Sequence, residues 1–216
     1  QSVFNSVYDK YDLMNDFMSL GIHRIWKKDL IRFMNPSKNK ILIDVACGTG
    51  DLAKIFLDLT DKNRKIFCVD PNRAMISKGK AKLEEYKNIN WVISPAEKLP
   101  FKDNSFDYYT ISFGIRNVEN IDIALKEAFR VLKPGGKFFC LVFSKVENNV
   151  LNKFYQTYSK TIPKVGELIV GKSEPYEYLI DSIKNFYNQE EFSEKIQNQG
   201  FKNVIYRNLN AGVVAI

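Results

Sequence analysis

The sequence predicts an α/β fold: a seven-stranded, mostly parallel sheet with helices on both faces and an N-terminal helical cover. Three observations carry this expectation. From residue 40 onward, short β-like apolar runs alternate with segments of helical period, the arrangement of parallel strands joined by crossover helices. The 216 residues, 45% hydrophobic and 26% charged, suffice for one domain with a substantial core. Two further segments, residues 1–35 and 150–187, stand outside the alternation and are rich in large apolar side chains.

The elements follow in order. Residues 41–45 form the first apolar run, which ends at Ala46-Cys47-Gly48-Thr49-Gly50. A helix comes next, with Leu52, Ile55, Phe56 and Leu59 on one stripe. Residues 66–69 make a second strand closing on Asp70, and Pro71 suits the first turn of the following helix. Residues 90–93 are the third strand; the turn cluster Pro100-Phe-Lys-Asp-Asn104 precedes a strong central strand over 106–113. Ile121, Leu125, Ala128, Phe129 and Leu132 mark an amphipathic helix stopped by Lys133-Pro134-Gly135-Gly136, and residues 137–143 make the fifth strand. Phe192 and Ile196 lie on a helix closed by Gly200, and residues 204–206 and 212–216 read as a closing antiparallel hairpin. Residues 1–216 are thus expected to form a single domain, with 1–35 as helical cover and 150–187 as a substrate-side insert. Both would fold over the sheet's carboxyl edge, where open α/β sheets bind ligands.

Composition narrows the partners. The chain carries 32 basic and 25 acidic residues, a net charge of +7. Of the basic residues 25 are Lys and 7 are Arg, beside 20 Asn. Genome composition can produce that bias, so the charge defines no nucleic-acid partner. The longest purely apolar run, residues 138–143, falls far short of the roughly 18 residues of a membrane-spanning helix. Cys47, Cys68 and Cys140 show no C-x-x-C spacing and His23 is the single histidine. Neither a disulfide framework, nor a metal centre, nor a Ser/His triad is expected.

The most informative stretch is Asp44-Val-Ala-Cys-Gly48-Thr-Gly50-Asp51, after a strand and before a helix. Glycines there let the backbone approach a ligand closely, and the helix N-terminus offers free N–H groups. Asp70, 20 residues beyond Gly50 at the end of the second strand, can accept hydrogen bonds from ribose hydroxyls. Gly48-x-Gly50-x-x-Ala53 also matches the dinucleotide fingerprint, and a tight strand–helix turn alone would use the same glycines. Two features tilt away from a nicotinamide dinucleotide. Asp44 puts negative charge where a pyrophosphate would be repelled and an amine attracted, and no second domain is present for hydride chemistry. Asp44 with Gly48 and Gly50 fits S-adenosyl-L-methionine, whose amino-acid end is zwitterionic and whose sulfonium is cationic. The fourth strand ends in Ser112-Phe-Gly-Ile115, without the Asp/Asn-Pro-Pro-aromatic run that holds a nucleobase amine.

Further motifs make a resemblance specific. Lys10-Tyr-Asp-Leu-Met-Asn-Asp16, Gly21-Ile-His-Arg24, Leu99-Pro-Phe-Lys-Asp-Asn104 and Phe113-Gly-Ile-Arg-Asn117 join the glycine stretch. So do Arg130-Val-Leu-Lys-Pro-Gly-Gly136, Phe143-Ser-Lys145, Tyr176-Glu-Tyr-Leu179 and Asn208-Leu-Asn-Ala-Gly-Val-Val-Ala-Ile216. Over essentially its whole length the chain resembles the C-methyltransferases of ubiquinone and menaquinone biosynthesis, which have the Rossmann-like class I methyltransferase fold. The resemblance implies cofactor contacts at Thr49, Asp70, Pro95, Ala96 and Ser112. Cys47 stands where the family often has Gly, and Pro95 where Asn or another small polar residue is common, so Ala96 is the firmer of its pair. The chain begins at Gln1 rather than Met and stops at Ile216, where relatives continue for a few residues; residues beyond either end are expected.

The implied reaction moves a methyl group from the sulfonium to a ring carbon of a polyprenylated benzoquinol or of demethylmenaquinol. A ring carbon ortho to a phenol becomes nucleophilic when the hydroxyl loses its proton, so catalysis needs in-line positioning and stabilisation of a phenolate-like oxygen. Arg116 and Asn117, just past the fourth strand, are assigned to that oxygen as the catalytic pair. Arginine is no base, but it can stabilise the oxyanion or orient a water that accepts the proton. Tyr11, His23 and Tyr178 are substrate-side candidates, with Tyr11 and His23 in the cover. Phe113-Gly-Ile-Arg-Asn117 and Phe139-Cys-Leu-Val-Phe-Ser-Lys145 lean toward the ubiquinone branch. Two alternatives stand beside this reading: methylation of another small phenolic or lipid acceptor, and a non-catalytic cofactor-binding scaffold of a quinone-biosynthesis complex.

In residues 22–34, Ile22, Ile25, Trp26, Leu30, Phe33 and Met34 fall at helical spacing while His23, Arg24, Lys27, Lys28 and Arg32 lie on another side. Such a basic amphipathic helix suits anionic lipid. The expected partners are therefore the quinol and a membrane surface. The location would be the cytoplasmic face of a bacterial inner membrane or the matrix side of a mitochondrial one. Exposed apolar helices are also compatible with a homodimer or a quinone-biosynthesis complex.

Overall fold

The computed structural model describes residues 21–144 and 174–216. In chain order these form α1 (His23–Met34), β1 (Leu42–Val45), α2 (Asp51–Leu59), β2 (Ile66–Asp70), α3 (Arg73–Lys82), β3 (Ile89–Ile93), β4 (Phe106–Ser112) and a 3-10 turn (Ile115–Asn117). Then come α4 (Ile121–Val131), β5 (Leu132–Phe143), α5 (Glu174–Lys184), α6 (Gln189–Asn198), β6 (Asn208–Leu209), a second 3-10 turn (Asn210–Gly212) and β7 (Val214–Ala215). The strands make one seven-stranded sheet ordered β3-β2-β1-β4-β5-β7-β6. β1 to β5 pair in parallel, and β7 runs antiparallel to both β5 and β6. The chain moves outward from β1 to β3, then crosses back to β4 on β1's other side. The crevice beyond the carboxyl ends of β1 and β4 is therefore the topological switch point.

The strand runs read as apolar because helices cover both faces: β1 is buried throughout, and β4 from Phe106 to Ile111. Alternate side chains go to opposite sides. Leu42, Ile66, Tyr108 and Leu141 pack with Trp26 and Leu30 of α1 and Leu52 and Phe56 of α2. Ile43, Val69, Ile111 and Val142 pack with Leu125 and Ala128 of α4 and Phe192 and Ile196 of α6. By the same alternation Asp44 belongs to the side of α1 and α2, in register between Cys68 of β2 and Thr110 of β4.

Local chemistry shifts several boundaries from those the sequence predicts. Asn72 caps α3 by accepting from the N–H groups of Ala74 and Met75, which leaves Pro71 outside the helix. The buried stripe of α2 is Leu52, Ala53, Phe56 and Leu57, while Leu59 is exposed. Leu132 ends α4 in an extended conformation (ψ 137°) and pairs with Phe106, so β5 starts there. Pairing resumes regularly at Lys137 after an irregularity spanning the Lys-Pro-Gly-Gly segment. Residues 204–206 are not a strand; Ile205 is 73% exposed. The closing hairpin uses Asn208–Leu209 and Val214–Ala215, turned by Asn210, Ala211 and Gly212 at φ 48°, 56° and 88°.

The largest correction concerns α1. His23 and Lys27, expected on its basic solvent side, are buried with Trp26, Leu30, Ile31 and Met34. This stripe recurs every three or four residues, which is what a helix packed on a sheet requires. Ile25 and Phe33 instead face outward with Arg24, Lys28 and Arg32. Tyr11 of the cover and most of the expected 150–187 insert lie outside the described residues.

Trp91 of β3 is wedged against two glycines. A Cβ at Gly50 would lie 2.6 Å from its Cη2, and one at Gly79 of α3 2.4 Å from the same atom. Gly79→Ala is accordingly expected to cost about 1–3 kcal/mol of unfolding free energy in urea titrations, the usual range for overpacking. Adding Trp91→Leu should recover part of that loss.

Candidate active site

β1 and β4 each leave the sheet through a left-handed, non-glycine residue, Ala46 at φ 52° and Phe113 at φ 59°. Such residues cost roughly 1 kcal/mol or more and persist where the surroundings over-determine them. The two bends border the switch point and set the loops that carry the candidate residues.

Asp44 is 1% exposed. Its Oδ1 accepts a hydrogen bond from the Thr110 hydroxyl at 2.8 Å, while its Oδ2 is buried without a partner among the described residues. Burial pushes its carboxyl up to about 7; the Thr110 bond and the Lys27 ammonium oppose the rise, and the Asp70 and Asp51 charges add to it. A buried acceptor with nothing to accept is costly. This one fits a cationic donor, such as an amino-acid ammonium, entering the crevice.

The glycine turn is built for close approach. Gly48 has φ +56°, and a Cβ there would meet nothing within 4 Å, so its open side borders unfilled space. Gly50, at φ 82°, is the N-cap of α2. Asp70 holds the turn from the end of β2: its Oδ2 accepts from the Gly48 N–H at 2.9 Å and its Oδ1 from the Asn72 N–H at 2.8 Å. Burial raises the Asp70 carboxyl, against the lowering effect of those two N–H groups. Each oxygen keeps a lone pair that can accept from a ribose hydroxyl.

Thr49 and Asp51 are tied to the α3 side of the turn, where the Lys82 ammonium bonds both the Thr49 hydroxyl, at 3.3 Å, and Asp51 Oδ1. From α1, the buried Lys27 ammonium reaches Asp51 Oδ2 at 3.4 Å. Burial works to raise the Asp51 carboxyl, but Lys27 and Lys82 outweigh it and hold it at about 2. Lys27 was missed by the sequence reading; its four-residue spacing from His23 and Ile31 was the signal that placed it on the packing stripe.

The remaining cofactor candidates sit on the next two loops. Ala96 is buried against Val69 and Leu99, and Pro95 is exposed beside it. Ser112 closes β4 with a buried hydroxyl that has no partner among the described residues, a second free polar atom at the crevice.

Of the residues expected on the acceptor side, Arg116 and Asn117 share the 3-10 turn after β4. The Arg116 guanidinium lies over the Phe143 ring at 5.6 Å and bonds the Ser182 hydroxyl of α5. The Tyr178 hydroxyl of the same helix donates to Asn117 Oδ1 at 3.5 Å. Arg116, Asn117 and Tyr178 therefore form one cluster. His23 is buried at the start of α1, one turn before Lys27. A cavity of about 910 Å³ runs elsewhere, along the outer side of β5 between Phe138, Phe192, Phe201 and Tyr206; no candidate residue lines it.

The fold, with a buried unpartnered carboxyl and an open glycine turn at its switch-point crevice, is that of a class I methyltransferase dependent on S-adenosylmethionine. At the level of fold, the chain is similar to an S-adenosylmethionine-dependent methyltransferase of Thermotoga maritima, with TM-score 0.68 and 20% identity over 99% of this chain and 96% of that one. It is similar also to a SAM-dependent methyltransferase of Aquifex aeolicus, with TM-score 0.64 and 16% identity over 88% and 86% of the two chains. The chain belongs to the ubiE/COQ5 methyltransferase family, whose pattern matches residues 1–216. Among its relatives is the "Ubiquinone/menaquinone biosynthesis C-methyltransferase UbiE" of Rickettsia bellii (strain RML369-C), 50% identical over 100% of this chain and 89% of that protein. The protein of the same name from Rickettsia prowazekii (strain Madrid E) is 49% identical with the same coverage.

The Asp44 carboxyl gives two expectations. Cofactor affinity, read by calorimetry, should fall about tenfold from pH 8 to pH 6, because the carboxylate that receives an ammonium is lost through its midpoint near 7. Its folded-state value lies above its unfolded one, so its stabilising contribution is complete below about pH 4 and is lost as pH rises through 7. Asp44→Asn should therefore raise the Tm of the ligand-free protein at pH 8, change it much less at pH 5, and abolish tight cofactor binding at both.

Proposed function

We propose that this chain methylates a ring carbon of a polyprenylated benzoquinol or of demethylmenaquinol. The observation that carries the reading is its likeness, at about half of all positions and over its full length, to proteins named ubiquinone/menaquinone biosynthesis C-methyltransferase. The cofactor, when bound, supplies an electrophilic methyl group on a sulfonium. Asp44, Gly48, Thr49, Gly50, Asp70, Pro95, Ala96 and Ser112 bind and orient that donor. Arg116 and Asn117 receive the acceptor's ring oxygen.

The geometry supports this division of labour. Arg116 is clamped by Ser182 and the Phe143 ring, so its charge is preorganised where a phenolate oxygen develops and needs little rearrangement as the oxygen gains charge. Asn117 and Tyr178 add a hydrogen-bonding pair one residue away. Incubation with labelled S-adenosylmethionine and the two demethylated quinols in parallel tests the acceptor; labelling of neither ring would overturn the reading. Arg116→Ala should lower kcat by roughly 10²–10³, the loss typical of an oxyanion donor, with cofactor Kd unchanged within about twofold.

The chain is further proposed to work as one domain at a membrane surface. The outward face of α1 presents Ile25 (55% exposed) and Phe33 (38% exposed) among the cations Arg24, Lys28 and Arg32, a combination suited to anionic headgroups over an apolar interior. Reversing the charge at Arg24, Lys28 and Arg32 should reduce sedimentation with anionic vesicles several-fold while leaving cofactor affinity intact.

A further inference from the structure

Thr110 stands in the buried middle of β4, between Tyr109 and Ile111, and is itself 0% exposed. A hydroxyl so placed needs a partner. Thr110 is in register with Asp44 of β1. Its Oγ1 lies 2.8 Å from Asp44 Oδ1, and the Ile43 carbonyl oxygen is a second acceptor at 3.4 Å. A hydroxyl has one proton to donate and two lone pairs with which to accept. Toward an ionised Asp44 the proton goes along the shorter line, to Oδ1. When Oδ1 is protonated, it can donate to Thr110 Oγ1 while the threonine proton turns to the Ile43 carbonyl. In both states Oδ1 is engaged, and Oδ2 is buried without a partner among the described residues. The terminal torsion of an aspartate is broad and roughly two-fold, whereas β-branched threonine is stiff at χ1. The stiff side chain fixes the soft one.

We propose that Thr110 is a positioning residue for the donor end: its hydroxyl engages Oδ1 of Asp44 and so fixes the carboxylate with Oδ2 as the oxygen that receives the cofactor's ammonium. One oxygen is given to the protein and one is kept for the ligand. Without the hydroxyl, the carboxylate would have to be ordered by the cofactor on binding, which costs affinity, and its ionised form would lose a hydrogen bond that favours it. The charges acting on Asp44 are Lys27 of α1, Asp51 of α2 and Asp70 of β2, and a change at Thr110 alters none of them. The thiols of Cys47 and Cys68 stay protonated, because burial raises both. A purely structural Thr110 would tie β4 to β1 and move the Tm without moving cofactor affinity or its pH profile.

The proposal rests on Asp44 as the ammonium's partner, and the test separates the two. The readout is the Kd for S-adenosylhomocysteine, which keeps the ammonium and does not turn over, measured by calorimetry from pH 5.5 to 9. Thr110→Val, which keeps the shape and removes the hydroxyl, should move the midpoint of the pH dependence up by about one unit. At pH 9, where the carboxylate is ionised in most molecules of either protein, it should still bind several-fold more weakly, and that residue of the loss reads orientation. Thr110→Ser keeps the hydroxyl and should stay within about twofold, with the midpoint unmoved. Thr110→Val binding within twofold of the unaltered protein at pH 9 overturns the proposal, as does Thr110→Ser binding as weakly as Thr110→Val. Where Thr110→Val does not fold, Thr110→Ala takes its place in the same comparison. If Asp44→Asn leaves the Kd and its pH dependence unchanged, the donor-site reading itself fails. If Asp44→Asn loses binding while Thr110→Val does not, the role of Thr110 alone fails.

Discussion

A carboxylate held out of water at the end of β1 is the constraint that the surrounding structure answers to. Asp44 occupies a position where the alternation of the strand would otherwise put an apolar side chain against α1 and α2, and a single hydroxyl, that of Thr110, bonds it. In a protein interior such a group is tolerated where the environment supplies countercharge or a ligand does. The environment supplies part through Lys27. The remainder is a buried oxygen with no hydrogen-bond partner among the described residues, an acceptor that a cationic ligand could meet.

Seating α1 connects both halves of the site. Lys27 touches the donor side at Asp51. One residue earlier, Trp26 meets Phe143 edge-on at 5.9 Å and Phe113 at 6.3 Å, and its Nε1 donates to Asn210 at 2.8 Å. Phe143 is also the ring beneath the Arg116 guanidinium. A single turn of helix thus reaches the cofactor turn through a charge and the acceptor cluster through an aromatic platform. Aromatic contacts of this kind contribute about 0.5–1.5 kcal/mol each beyond area burial, so displacing the cover would loosen both at once.

Most of the sheet was legible because parallel strands buried on both faces leave continuous apolar runs, and because glycine and proline mark where they stop. The donor loop was legible for the same reason: Asp44, Gly48, Gly50 and Asp70 are types that chemistry and backbone geometry both restrict. What escaped was decided by contacts between distant elements. Lys27 looked solvated because its type is usually exposed, yet its spacing put it on the stripe with Trp26, Leu30 and Ile31. Pro71 looked like a helix start until Asn72 took the cap. Residues 204–206 had a strand's composition, but the hairpin's register is set by β5, which pairs through Val142 and Phe143 with β7 and so draws its partner from Asn208–Leu209.

The acceptor cluster bears on where the proton of a phenolic ring goes. Arg116 carries a guanidinium that does not deprotonate in proteins, and Asn117 an amide; neither is a base. Among the described residues, Asp44 is the carboxyl brought to the middle of the physiological range, and it belongs to the donor end, on the sheet side under α1 and α2. A general base for the acceptor would have to sit within hydrogen-bond reach of the ring oxygen, which on the proposed reading lies near Arg116, Asn117 and Tyr178. On the proposed reading, a fixed positive charge at Arg116 would make the bound phenol more acidic. Catalysis on this plan is a matter of where Arg116 is held, which is why a serine from α5 and a phenylalanine from β5 hold it.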